Sequence, residues 1–187
     1  MRRSPIPLGP LLFALALAAC GEDKDAAPPP PAALTQDAIG HYDQMTVLDH
    51  DGPKGQIFVK GRDTPFWFSS VRDAVAFTLL PEEPKDIRAI YVQDVGRAQS
   101  WRDPGPQSWT DARAAHYVIG SKRMGGMGQP EAVPFSAREA ADAFARDNGG
   151  RVVAFAEIPP DYILGDAPPS AQTAATPKGH SGHGKGH

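Results

Sequence analysis

The chain has 187 residues, of which 20 are proline and 19 are glycine, and it carries a formal charge of -3 at neutral pH. This charge provides no strongly basic surface, so we expect no nucleic-acid partner. The single cysteine excludes a disulfide within the chain and a Cys-x-x-Cys metal or redox site. Proline and glycine are concentrated toward the two ends, and the central region has the length of one modest domain.

The amino-terminal residues are typical of an exported protein. Two arginines precede an apolar run at residues 8–19, which is too short to span a bilayer as a helix but suits a signal peptide over residues 1–19. The run ends in Leu-Ala-Ala-Cys, which is similar to the bacterial lipobox, so Cys20 is the predicted lipid anchor. The alternative is an ordinary secretory signal that ends near a chance cysteine.

A proline-rich segment follows the predicted anchor. Residues 20–33 include four consecutive prolines and are predicted to form a solvated, semi-rigid spacer. The spacer would hold the domain away from the membrane.

The central region contains two segments with the same order of predicted elements. In residues 34–100 these are strands at 56–60 and 66–68, a helix capped by Ser69 or Ser70 that ends near Leu80, and a strand at 87–92. In residues 101–166 they are strands at 116–119 and 132–135, a helix opened by a Ser136-x-x-Glu139 capping box and ended by Gly149, and a strand at 152–158. We therefore predict an α+β fold in which two similar ββαβ units pack as one compact body.

The hairpin loop is short in the first unit and extends over residues 120–131 in the second. Met124 and Met127 lie there among glycines, which cannot build a core around them. Thioether sulfur is a soft donor that selects Cu(I) over zinc, magnesium or calcium. The loop is therefore a candidate Cu(I) site, and the alternative is a flexible loop whose methionines touch a partner or the domain surface.

A second candidate is the segment His41-Tyr42-Asp43-Gln44-Met45, which places an imidazole and a thioether four residues apart. If the segment is helical, His41 and Met45 share one face. Both are candidate copper ligands, and a surface histidine without a metal role is the alternative for His41.

The carboxyl-terminal tail, residues 167–187, is predicted to be disordered and is rich in glycine and histidine. Its histidines His180, His183 and His187 are candidate auxiliary ligands for loosely held divalent metals. A solvated tail with incidental histidines is the alternative.

No common catalytic motif is present: the chain lacks Gly-x-Ser-x-Gly, His-Glu-x-x-His and a phosphate-binding glycine pattern. We therefore expect that the protein is not an enzyme. Trp101, Trp109 and the prolines between them join the two units and are expected to fasten this linker to the body.

The motifs together resemble those of NosL-type lipoproteins. They are Gly40-His41-Tyr42-x-x-Met45, His50-x-Gly52-Pro53-Lys54-Gly55-Gln56, Trp109-x-Asp111-Ala112 and Met124-Gly125-Gly126-Met127-Gly128-x-Pro130-Glu131-x-Val133-Pro134-Phe135.

This resemblance implies an exported, membrane-anchored Cu(I) chaperone that faces the periplasm. Such a protein helps to deliver copper to the copper-sulfide centre of nitrous oxide reductase, with an ABC-type assembly complex as a further partner. The resemblance gives ligand roles to Met124 and Met127. Because Asp43 stands where family members commonly have cysteine, the remaining ligands are expected to be Met45 and His41. The alternative is a metal-independent adapter that scaffolds the assembly complex at the membrane.

The tail provides a first prediction. A variant truncated after Asp166 is expected to lose weak Ni(II) and Cu(II) uptake but to keep one tight Cu(I) site, because its methionine donors remain. Titration with Ni(II), and with Cu(I) against a competing chelator, measures both properties. Loss of the tight site together with the tail would contradict a copper site in the central domain.

Overall fold

A computed structural model of the chain describes residues 27–165. Cys20 and the three tail histidines lie outside the described residues, so their roles stay predictions. No helix within residues 27–165 is long and apolar enough to cross a membrane.

The first unit is a four-stranded antiparallel sheet with one helix. Strands β1 (Gly55–Val59), β2 (Phe66–Phe68), β3 (Ile87–Gln93) and β4 (Trp109–Asp111) lie in the order β2-β1-β3-β4. Helix α1 (Val71–Leu79) connects β2 to β3, and its predicted cap is confirmed because the Ser70 side chain accepts a hydrogen bond from the Asp73 backbone amide. Strand β4 was not predicted; it lies within residues 101–166, which were assigned to the second unit, but it pairs with the end of β3 in the first sheet.

The second unit is a three-stranded antiparallel sheet with the same connections. Strands β5 (His116–Ile119), β6 (Val133–Phe135) and β7 (Arg151–Ala154) lie in the order β6-β5-β7, and helix α2 (Arg138–Asn148) connects β6 to β7. Strand β7 is shorter than predicted because the chain turns into a 3-10 helix at Phe155–Glu157. A short helix, α3 (Pro160–Leu164), follows and packs against α1.

The predicted capping box of α2 is wrong. The N-cap residue is Ala137, which has no side chain able to accept a hydrogen bond. The Ser136 hydroxyl instead donates to the carboxylate of Asp94, a buried residue of the first unit. A contact between the two units therefore replaces the local cap.

The two units share one hydrophobic core, which confirms the predicted compact α+β body. Its largest cluster includes Phe68 and Phe77 from the first unit, Tyr117 and Val153 from the second, and Ile163 from α3. A smaller cluster lies beneath α2. The shared core fixes the loops of one unit relative to those of the other.

The end of the predicted spacer is attached to the first sheet. Ala32 exchanges two hydrogen bonds with the buried Gln56 side chain, at 2.7 Å for Ala32 N to Oε1 and 3.1 Å for Nε2 to Ala32 O. The Tyr91 hydroxyl donates to the Pro29 carbonyl at 2.7 Å. Residues 27–33, here called the strap, remain mostly exposed but are tied to the protein.

Candidate functional site

The segment from His41 to Met45 is a tight turn and not a helix. The Gly40 amide donates to the Met45 carbonyl at 2.8 Å, and Gln44 has a left-handed backbone with φ of 57°. His41 and Met45 therefore do not share a helix face. Asp43 stabilises the turn, since its Oδ1 accepts a hydrogen bond from the Met45 amide at 3.0 Å.

His41 lies among aromatic rings. Its ring centroid is 4.6 Å from that of Phe66 and 5.5 Å from that of Phe77, and its Nε2 is 3.2 Å from Glu83 Oε1. His41 lines a pocket beside β2 that Met127 does not line. Met45 is 49 % exposed and lines neither this pocket nor the cavity described below. Neither of these two candidates therefore lines a pocket together with Met127.

The methionine loop, residues 120–131, is closed by its own backbone. The Gly125 amide donates to the Gln129 carbonyl and the Gly128 amide donates to the Gly125 carbonyl, each at 2.9 Å. Met124 is 49 % exposed and Met127 is 50 % exposed, which fits the prediction that neither belongs to the core. The two sulfur atoms are therefore carried on an ordered surface loop.

Gly126 packs the loop against the turn that contains His50. A Cβ atom at Gly126 would lie 2.7 Å from His50 Cβ and 2.7 Å from the Asp51 carbonyl oxygen, so only glycine allows this approach. On the other side of the turn, the Trp101 ring covers Gly52, and the Arg123 guanidinium lies 5.2 Å from that ring. The loop and the turn are therefore in direct contact.

Lys54 holds the same turn from inside the protein. Its side chain is buried, and its Nζ donates to the carbonyl oxygens of His50 and Gly52, both at 2.6 Å. Burial lowers the pKa of Lys54 to about 8. The two short hydrogen bonds fix the backbone that carries His50.

A cavity of about 260 Å³ opens between the loop, the His41–Met45 turn and the start of α1. Its lining consists mostly of polar side chains and loop residues: Tyr42, Asp43, Ser70, Arg72, Asp73, Gly125, Met127, Gln129, Pro130 and Glu131. Met127 and Asp43 therefore face one space although they are far apart in the chain. Met124 is on the same loop but does not line the cavity.

Asp43 brings His50 to this cavity. The distance from His50 Nε2 to Asp43 Oδ2 is 3.6 Å, and both side chains are almost fully buried. Within the described chain neither atom has a hydrogen-bond partner. Sequence reasoning did not select His50 as a site residue, although it begins the His50-x-Gly52-Pro53-Lys54 motif. An imidazole nitrogen and a carboxylate oxygen thus lie close together, buried beside the cavity, without a hydrogen bond in the described chain.

Glu131 is a buried carboxyl group in the cavity wall. Its Oε1 accepts hydrogen bonds from the amides of Arg72 at 2.9 Å and Ala132 at 2.8 Å, while its buried Oε2 has no partner in residues 27–165. Burial raises the pKa of Glu131 to about 8, and burial also raises the pKa of Asp73. The cavity lining thus contains three carboxyl groups, those of Asp43, Asp73 and Glu131, together with the Arg72 side chain.

The donor types at and beside the cavity are those that suit copper. Met127 lines the cavity and supplies a thioether sulfur, which is a soft donor. His50 lies beside the lining residue Asp43 and supplies an imidazole nitrogen, which is a borderline donor. Within residues 27–165, no group of three or more His, Cys, Asp and Glu side chains is arranged as a metal site.

The pKa of Glu131 provides a second prediction. Because the folded-state pKa is raised from 4.5 to about 8, the folded protein binds an extra proton between these values, and its free energy of unfolding falls as the pH rises from 4.5 to 8. Glu131→Gln keeps an acceptor oxygen but does not titrate, so it should remove a pH dependence of about 4 kcal/mol at most.

Denaturant unfolding between pH 5 and 8 measures this effect. Glu139→Gln, at an exposed position in α2, is the matched control and should keep the wild-type pH dependence. Equal pH dependence in the Glu131→Gln variant and the wild type would contradict a protonated Glu131 in the folded state.

Comparisons with known proteins identify the family of the chain. A sequence model of the NosL family matches residues 31–163. The copper-binding lipoprotein NosL of Achromobacter cycloclastes is 48% identical over 149 residues, which cover 79% of this chain and 77% of that protein. The protein of the same name from Stutzerimonas stutzeri is 34% identical, with 79% and 76% covered. The crystal structure of the copper chaperone NosL from Shewanella denitrificans is similar with a TM-score of 0.65 and 32% identity, covering 70% of this chain and 97% of that chain. Matching sequence and matching fold over most of the domain show that the chain belongs to the NosL family.

Proposed function

We propose that this protein is a Cu(I) chaperone, anchored to the membrane by a lipid on Cys20 and facing the periplasm. It delivers copper for assembly of the copper-sulfide centre of nitrous oxide reductase, together with an ABC-type assembly complex. The names of the similar proteins, copper-binding lipoprotein and copper chaperone, support copper binding, lipid attachment and a role other than catalysis. The observation that carries the proposal is the soft sulfur of Met127 at a cavity whose wall holds two buried carboxyl oxygens, Asp43 Oδ2 and Glu131 Oε2, that have no hydrogen-bond partner within residues 27–165.

The proposed copper ligands centre on Met127. Met124, three residues earlier on the same loop, is the second sulfur donor. His50 is the proposed imidazole donor because the loop packs on its turn. Cu(I) accepts two or three such ligands. The other side chains of the lining offer carboxyl, hydroxyl and amide oxygens, which are hard donors, and no soft donor besides Met127.

His41 and Met45 remain candidate ligands of second rank. The His41 ring nitrogen lies beside Glu83, so copper binding there would require this contact to break. Met45 follows Asp43 by two residues and is half exposed, so its flexible side chain is free to move toward the cavity. Neither residue lines the cavity with Met127.

A chaperone must both hold and release its metal. The half-exposed Met127 allows an incoming ligand from an acceptor to reach copper before all the original ligands have left. Neutral thioether ligands are displaced more easily than a thiolate would be, because they add no charge attraction to the metal. The site is thus suited to transfer by stepwise ligand exchange.

Our third prediction concerns Met127→Leu, which conserves volume but removes sulfur. Cu(I) affinity should fall about 10- to 100-fold, on the order of 1.4 to 2.8 kcal/mol, because one of two or three donors is lost. The melting temperature should hardly change, since exposed loop substitutions usually cost less than about 0.5 kcal/mol. Competition titration against a Cu(I) chelator and thermal unfolding measure the two quantities.

Met45→Leu is the matched control, because Met45 is equally exposed but lies off the cavity. It should lose less Cu(I) affinity than Met127→Leu. Wild-type affinity in Met127→Leu would exclude Met127 as a ligand. A wild-type protein that retains no stoichiometric Cu(I) would favour the metal-independent adapter.

Our fourth prediction uses the aspartate that stands at the usual cysteine position. Asp43→Cys would place a thiolate at the cavity beside Met127, so Cu(I) affinity should rise about tenfold or more. Asp43→Ser, which removes the carboxylate without adding sulfur, is the control and should not gain affinity. The same competition titration measures both variants, and an unchanged affinity in Asp43→Cys would argue against copper at this cavity.

A further inference from the structure

The strap has a definite direction along the first sheet. At its beginning, the Arg88 side chain donates to the Ala27 carbonyl at 3.3 Å. At its end, Ala32 is held by Gln56, the second residue of β1. The strap therefore runs from the start of β3 toward the start of β1.

The two ends of this sheet differ in their distance from the candidate site. At one end, β1 begins and β3 ends, and the Lys54 amide donates to Gln93 Oε1 at 3.0 Å. This is the site end, because the turn held by Lys54 contains His50 and packs against the methionine loop. At the other end, here called the distal end, β3 begins at Ile87 and the turn at residues 60–65 joins β1 to β2. The seven residues of β3 separate the ends by roughly 20 Å.

The strap contacts shorten the tether, which is the segment between Cys20 and the first residue attached to the folded domain. From Cys20 to Ala27 the chain can reach at most about 25 Å. Without the strap contacts, the first buried attachment would be Ala38, and the tether could reach about 60 Å. A short tether that leaves from the distal end restricts which side of the domain can approach the lipid surface.

We infer that the strap orients the domain on the membrane, with the distal end toward the bilayer and the copper cavity toward the aqueous compartment. This inference rests on the lipid attachment at Cys20 in the proposed function. The proline-rich residues of the strap then hold the domain in one orientation, in addition to separating it from the membrane. The partner that collects copper then approaches from the aqueous side.

Site-specific fluorophores test this orientation in the full-length lipidated protein, reconstituted in phosphatidylcholine vesicles that contain a headgroup-linked nitroxide quencher. Because the lipid occupies the only native thiol, a single new cysteine can be labelled. Asp63→Cys marks the distal end and Arg102→Cys marks the site end, beside Asp51. Both positions are exposed. Because the two ends are separated by roughly 20 Å, quenching of the distal label should be at least about twofold stronger than quenching of the site label.

Two strap variants complete the experiment. Tyr91→Phe removes the hydrogen bond to Pro29 and keeps the ring, and Gln56→Leu removes both hydrogen bonds to Ala32. If the strap sets the orientation, each variant should bring the two quenching values closer together while Cu(I) affinity stays at the wild-type level.

Equal quenching of the two labels in the wild type, or a difference that both variants leave unchanged, would overturn the inference while the copper function stands. Failure of the wild-type protein to bind vesicles would refute the lipid attachment and this inference with it. A wild-type protein that shows the expected orientation but binds no Cu(I) would instead contradict only the proposed copper function.

Discussion

The candidate site depends on a buried ammonium group. Lys54 donates two hydrogen bonds to the His50–Gly52 turn from beneath, and this rigid turn is the surface on which Gly126 packs. A buried amine is costly unless its hydrogens are bonded, so the turn and the lysine stabilise each other. The close approach of Gly126 to this turn therefore helps to set the position of the methionine loop.

Local signals were sufficient to predict much of the fold. Turn residues, alternation and the Ser70 cap predicted α1 and the strands around it, and the repeated order of elements predicted two ββαβ units. Strand β4 was missed because three residues next to a proline-rich linker show no alternation pattern. The α2 capping box was wrong because Ser136 has a better acceptor in Asp94, which no local pattern reveals.

The site was less predictable because its contacts join distant parts of the chain. Loop composition identified Met124 and Met127 without any tertiary information. The cavity, in contrast, depends on Glu131 accepting from the Arg72 amide, 59 residues earlier, and on His50 lying 3.6 Å from Asp43. A helix at His41–Met45 was considered from the sequence, but Gln44 has a left-handed backbone that closes a turn instead. In this turn the His41 ring packs against Phe66.

The position of Trp101 has a consequence for how the protein can be observed. Its indole ring lies over Gly52 on one side, and the Arg123 guanidinium, one residue before Met124, lies within 5.2 Å of the ring. Any displacement of the methionine loop alters the polarity around this ring. In a variant that keeps Trp101 as its single tryptophan, the fluorescence of this linker residue is thus expected to report movement of the methionine loop without an attached dye.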